Sequence, residues 1–88
     1  MNDAVSLPSV ARLRWQCRRG MLELDLALSA YLENCYAELD DAGKRAFIDF
    51  LALDDPTLNA WLLGNAAPID LETANLVVAV RAAAQAAA

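Results

Sequence analysis

Four arginines and one tryptophan fall within eight residues: Arg12, Arg14, Trp15, Arg18 and Arg19. Guanidinium groups hold carboxylates through paired hydrogen bonds and stack on aromatic rings, so this density suits recognition of another molecule. Gly20, Met21, Glu23 and Asp25 follow directly, setting a glycine and two acids against the basic run. The chemistry on offer is polar docking. The chain has no histidine to act as a base near neutral pH. Its serines, Ser6, Ser9 and Ser29, have no partner base at motif spacing. Asp54-Asp55 resembles a carboxylate pair, but its place before Pro56 is that of a helix cap. No glycine-rich phosphate loop is present. The chain therefore reads as a non-enzyme with no catalytic residue.

Charge separates the docking segment from its support. Residues 1–19 carry four arginines against Asp3, a net +3, while residues 20–88 carry three cations against eleven acids, a net −8. Phosphate backbones need a wider basic face than four clustered arginines, so nucleic acid is excluded as a partner. A short basic patch on an acidic body fits one protein partner, the acidic remainder rejecting others.

Cys17 and Cys35 form no CxxC pair and have no histidine beside them, so a metal site is not expected. Both read as reduced thiols packed as small hydrophobes. No apolar run approaches the ~18–20 residues of a membrane span. The N-terminal residues lack the basic-then-apolar pattern of a secretory signal. A soluble protein of a reducing compartment is expected.

The elements that must position these residues read as helices. Eighty-eight residues make one domain, and a chain of this size buries only ~60–65% of its unfolded surface. The 58% hydrophobic content includes nineteen alanines, which favour helix while adding little core. Residues 1–6 read as a loose leader. A first helix spans about residues 8–19, capped by Ser6 or Ser9 with Pro8 in its first turn, and Gly20 takes its left-handed C-terminal position. In the second, Leu24, Leu28, Tyr31, Cys35 and Leu39 form an apolar stripe widened by Met21 and Leu32. Asp40-Asp41 opens a third helix over about 42–53, with Phe47, Phe50 and Leu51 inward and Ile48 on the flank. Lys44, Arg45 and Asp49 face water. Asp54-Asp55-Pro56 opens a fourth over about 56–63, with Leu58, Trp61 and Leu62 inward. Asp70 caps a fifth, which buries Leu71, Ala74, Val77 or Val78, and the stem of Arg81. The alanine-rich residues 82–88 read as a fraying tail. The expected architecture is all-α: a compact five-helix antiparallel bundle.

A structural account of the Arg19–Glu23 stretch is complete in itself. Gly20 stops one helix, Arg19 complements its dipole, and Glu23 opens the next while pairing with Arg19 or Arg18. The density of arginines around Trp15 exceeds what a cap requires. An acyl carrier protein would need an Asp-Ser-Leu attachment site, and Asp25-Leu26-Ala27 and Asp70-Leu71-Glu72 lack the serine.

At these residues the chain resembles the SdhE family, the small FAD assembly factors of succinate dehydrogenase and fumarate reductase. Arg19, Gly20 and Glu23 match the family's Arg-Gly-x-x-Glu motif, and Arg12, Trp15, Cys17, Arg18, Met21, Leu24 and Asp25 match its surroundings. Phe47, Leu51, Asp54-Asp55-Pro56, Leu58 and Trp61 continue the template. The likeness is close over residues 11–63 and looser over 64–80. Leu22 departs from it, standing where the family often carries a charge.

The resemblance implies a dedicated assembly chaperone. It would bind the flavoprotein subunit of the dehydrogenase and promote covalent attachment of FAD to a histidine of that subunit, holding no cofactor itself. Arg12, Trp15, Arg18, Arg19, Gly20, Met21, Glu23 and Asp25 are the implied partner-binding residues. A monomer in the bacterial cytoplasm, without membrane insertion, is expected. The alternative partner is a small membrane-associated toxin, with this chain as its antitoxin.

Overall fold

The helix starts are set by acids and hydroxyls placed ahead of apolar runs. The computed structural model describes residues 7–87. Ser9 accepts from the Arg12 amide at 3.2 Å and opens α1, Val10–Gln16. Asp40 accepts from the Gly43 amide at 2.8 Å and opens α3, Asp41–Leu51. Asp54 accepts from the Thr57 amide at 3.0 Å and opens α4, Asp55–Leu62, with Pro56 in the first turn. Asp70 accepts from the Thr73 amide at 2.9 Å at the start of α5, Leu71–Ala87. Each such cap is worth about 1 kcal/mol against alanine. The exception is α2, Leu22–Asn34, whose N-cap residue Met21 has no side-chain bond to give. One 3-10 turn, Tyr36–Glu38, links α2 to α3. No strand occurs among the described residues, and the all-α class holds.

Three boundaries differ from the sequence expectation. The first helix stops at Gln16, not near Arg19, because the Cys17 amide already bonds both Leu13 O at 3.0 Å and Arg14 O at 3.2 Å, and Arg18 N then bonds Trp15 O. This tightening ends the α-helical ladder and frees residues 18–20 to turn. The stripe expected to run to Leu39 ends at Asn34, whose side-chain amide donates to Ala30 O at 3.0 Å. Tyr36 is buried beyond that break, and Leu39 only packs at the edge. In α5, Leu71 and Val78 lie seven residues apart on one outward face and are 75% and 65% exposed, so Val77 is the inward choice and Leu71 is not core. The helix continues through Ala87 and buries Ala83, so part of the alanine-rich tail is core. The leader assigned to residues 1–6, Ser6 as an alternative cap, and Ala88 lie outside the described residues.

The core forms where α2 packs chiefly on α5, with α1, α3 and α4 around them. Leu13, Leu24, Leu28, Phe47, Leu58 and Val80 are fully buried. Phe47 lies 5.0 Å from Tyr31 and 5.9 Å from Tyr36, ring centre to ring centre, so Phe47→Ala would cost roughly 3–5 kcal/mol. Trp61 is half-buried and stacks on Phe50 at 6.3 Å. From α5, Arg81 donates to the carbonyls of Trp61, Leu62 and Gly64 at 2.7, 3.2 and 2.9 Å, satisfying acceptors that the end of α4 leaves free. Among the described residues, no helix is long and apolar enough to cross a membrane.

Candidate functional site

The link between α1 and α2 is a turn built around one glycine. Gly20 has φ +83°, a conformation that side chains with a Cβ rarely adopt. A Cβ placed there would meet no atom within 4 Å, so the outer side of the turn is open. From the first turns of α2, Asp25 reaches back to this link. One carboxylate oxygen accepts the Arg19 amide at 2.7 Å and the other accepts the Gly20 amide at 3.2 Å. Asp25 thus binds two amides that the turn would otherwise leave to water.

Arg19 points inward, and its side chain is only 15% exposed. Its Nε donates to Gln16 O at 2.9 Å, and one terminal nitrogen donates to Leu53 O at 3.3 Å and Asp55 Oδ1 at 2.9 Å. The other terminal nitrogen donates to Leu51 O. One guanidinium therefore ties the end of α1 to the end of α3 and the start of α4. The sequence expectation of an Arg19 or Arg18 pair with Glu23 is not met: Glu23 is exposed and, among the described residues, has no hydrogen bond or ion pair.

The remaining candidates face outward. Trp15 is 71% exposed, with the Arg18 guanidinium 5.3 Å from its ring centre. Trp15 and Arg18 border a depression of about 340 Å³ shared with Ile48 and Leu51 of α3 and with Ala52 just after it. Arg12 is exposed on α1, and Met21 is partly exposed beside Gly20. Arg14, not among the candidates, pairs with Glu33 of α2 at 2.5 Å, which holds the Glu33 carboxyl below its usual range. Trp15, Arg18, Gly20 and Met21 thus lie outside the turn, while Arg19 and Asp25 lock it from behind.

Sequence reasoning missed Asp55, read only as part of a cap. Asp54 alone caps α4, so the second acid of the pair was free for other work, and that surplus was the available signal. The exposed leucines Leu26 and Leu63 were missed as well, and Leu22, noted as a departure from the family motif, is also exposed. Cys17 is buried and Cys35 half-buried, both as free thiols. Among the described residues, no group of histidine, cysteine or acidic side chains could hold a metal ion.

Comparison with known proteins converges on one family. The profile of the Sdh5 family, described as "Flavinator of succinate dehydrogenase", matches residues 11–84. A protein of Shewanella oneidensis named FAD assembly factor SdhE is 46% identical over 77 residues, covering 88% of this chain and 94% of that one. Proteins of the same name from Aliivibrio fischeri and Pectobacterium atrosepticum are 42% and 40% identical, covering 76% and 83% of this chain and 78% and 83% of their own.

Proposed function

The chain belongs to the Sdh5 family, and from that membership we propose that it is an assembly factor for a flavoprotein. It binds the flavoprotein subunit of succinate dehydrogenase and promotes covalent attachment of FAD to that subunit. Fumarate reductase is the second client to test. The relatives' name, FAD assembly factor, supports this reading.

The observation that carries it is the open turn at Gly20. A positive-φ glycine with free space outside it lets another backbone come close. Exposed Trp15, Arg18, Arg12, Met21 and Glu23 surround it as contact residues, and Trp and Arg are enriched where interfaces concentrate their energy. Asp25 and Arg19 keep the turn in shape. The chain brings no histidine, so the acceptor histidine is the partner's. The helper holds no FAD and acts by steadying an arrangement in which the partner's own groups react. Its place of action is a reducing bacterial cytoplasm, in keeping with the free thiols of Cys17 and Cys35.

The test is covalent flavin on the purified flavoprotein subunit incubated with FAD, with and without this chain, read as fluorescence on a denaturing gel. Fluorescence should rise with the wild type and fall back with Gly20→Arg and Glu23→Ala, both keeping wild-type helicity by circular dichroism. No dependence on this chain would overturn the reading and redirect the search to a small membrane protein as partner.

A further inference from the structure

Glu23 does not border the depression beside Trp15 and Arg18. It lines an open trough of about 550 Å³ between α2, the end of α4 and the last turns of α5. Ala27 and Leu62, both buried, form its floor, and exposed Leu26, Leu63 and half-buried Ala84 form its walls. Arg81 also borders it, with Nε and one terminal nitrogen bonded to three backbone carbonyls, and no ion pair joins it to Glu23. The trough therefore combines a largely apolar lining with a carboxylate that makes no ion pair. Leu22, 73% exposed, lies one turn before Leu26 on the same face of α2, so apolar surface runs unbroken from the Gly20 turn to the trough.

We infer, on the footing of the assembly role proposed above, that this trough is a second docking surface for the flavoprotein subunit. Its occupant is a segment of that subunit presenting a bulky apolar side chain between Leu26 and Leu63 and a lysine or arginine to Glu23. Charge favours this occupant over a second copy of the chain. Each copy carries a net −5, and residues 20–88, which build the whole trough, carry −8. A cationic segment gains attraction there, whereas a second copy meets repulsion. An open trough with a few anchor positions also suits an extended or helical peptide segment. Glu23 lies beside the Gly20 turn in sequence and lines the trough, so one partner can engage both and divide its contacts between a polar corner and an apolar groove.

The experiment is titration calorimetry of the full chain against the purified flavoprotein subunit, at two salt concentrations. Leu26→Asp and Leu63→Ser change side chains that are already exposed, and their folding is checked by thermal unfolding. Each should weaken binding about tenfold or more. Glu23→Gln should weaken binding and flatten its salt dependence. Ile69→Asp, at a fully exposed site that does not line the trough, should bind as wild type. If Gly20→Arg abolishes binding while both leucine variants bind as wild type, the trough inference fails and the assembly reading stands. If the wild-type chain does not bind the subunit, both fall. Concentration-dependent dimers that disappear in Leu26→Asp, seen by sedimentation, would overturn the inference in favour of a second copy as occupant.

Discussion

Arg19 and Asp55, thirty-six residues apart in sequence, meet at 2.9 Å, and around that ion pair the Arg19 guanidinium also collects the carbonyls of Gln16, Leu51 and Leu53. The Gly20 turn is thereby fixed to the α3–α4 corner. Carbonyls at two helix ends that would otherwise need water are satisfied by one side chain. Arg19 serves as the frame of the turn, whereas Arg18 and Arg12 stay exposed.

Arg19→Lys keeps the charge but not the fork. One ammonium cannot span acceptors arranged on three sides of a planar guanidinium. With the group largely buried, the variant should lose about 2 kcal/mol of stability, hydrogen bonds to charged groups being the stronger class. For a domain of this size that is roughly 10 °C in Tm. Thermal unfolding by circular dichroism is the check. An unchanged Tm would show that the clamp contributes nothing to stability.

Gly20 separates backbone strain from obstruction of the partner. Gly20→Ala must hold a Cβ at φ +83°, a cost of about 1–2 kcal/mol, yet that Cβ meets nothing within 4 Å. Gly20→Arg carries a similar backbone cost and adds bulk outside the turn. The two variants should therefore unfold at similar denaturant midpoints, while only Gly20→Arg loses most flavinylation. Equal loss of flavinylation in both would assign the effect to the turn's conformation instead.

Much of this was legible in the chain because it depends on local chemistry. Asp40, Asp54 and Asp70 mark helix starts wherever they stand ahead of apolar runs, and Phe47, Phe50, Leu51, Leu58 and Leu62 follow helical spacing into the core. Gly20 was legible as a left-handed position for the same reason. What depends on distant partners was not. Nothing near Arg19 in sequence points to Asp55, whereas Glu23 sits at a tempting spacing and goes unpaired. Leu22 and Leu26 fall opposite the Leu24–Leu28–Tyr31 stripe, so their exposure follows the period of α2, but the trough beside Leu26 does not, since it depends on where α4 and α5 lie.

Acid should weaken the fold through its caps. Asp54 and Asp70 are held below their ordinary 3.8, first by hydrogen bonds from the side chains of Thr57 and Thr73 and then by the backbone amides of the same residues. A depressed carboxyl binds its proton more readily in the unfolded chain, so its contribution is full above about pH 4 and is lost as pH falls through the lower folded value. The urea midpoint should hold steady from neutral pH down to that point and then drop. Asp54→Asn with Asp70→Asn keeps capping side chains that do not titrate, and its acid slope should be shallower. The residual slope comes partly from Glu33, which Arg14 also holds low.

At the alkaline end the sign reverses, and Cys17 contributes to it together with Tyr31 and Tyr36, whose phenols burial also pushes up. Burial pushes this thiol up from 9.0 to about 11, against the pull of the nearby Arg19 cation. The folded state keeps the proton while the unfolded state gives it up, so stability should fall as pH rises from about 9 towards 11. In Cys17→Ala the loss between those values should be smaller, by the difference that urea titrations at each pH resolve. The same burial controls reactivity, because the thiolate is the nucleophile and Cys17 has neither exposure nor charge at neutral pH. An aromatic disulfide reagent at pH 8 should modify half-buried Cys35 first and Cys17 only as fast as the chain unfolds. Rapid modification of both thiols in the native protein would mean that the α1–α2 corner opens far more readily than the Arg19 clamp and the Asp25 bonds allow.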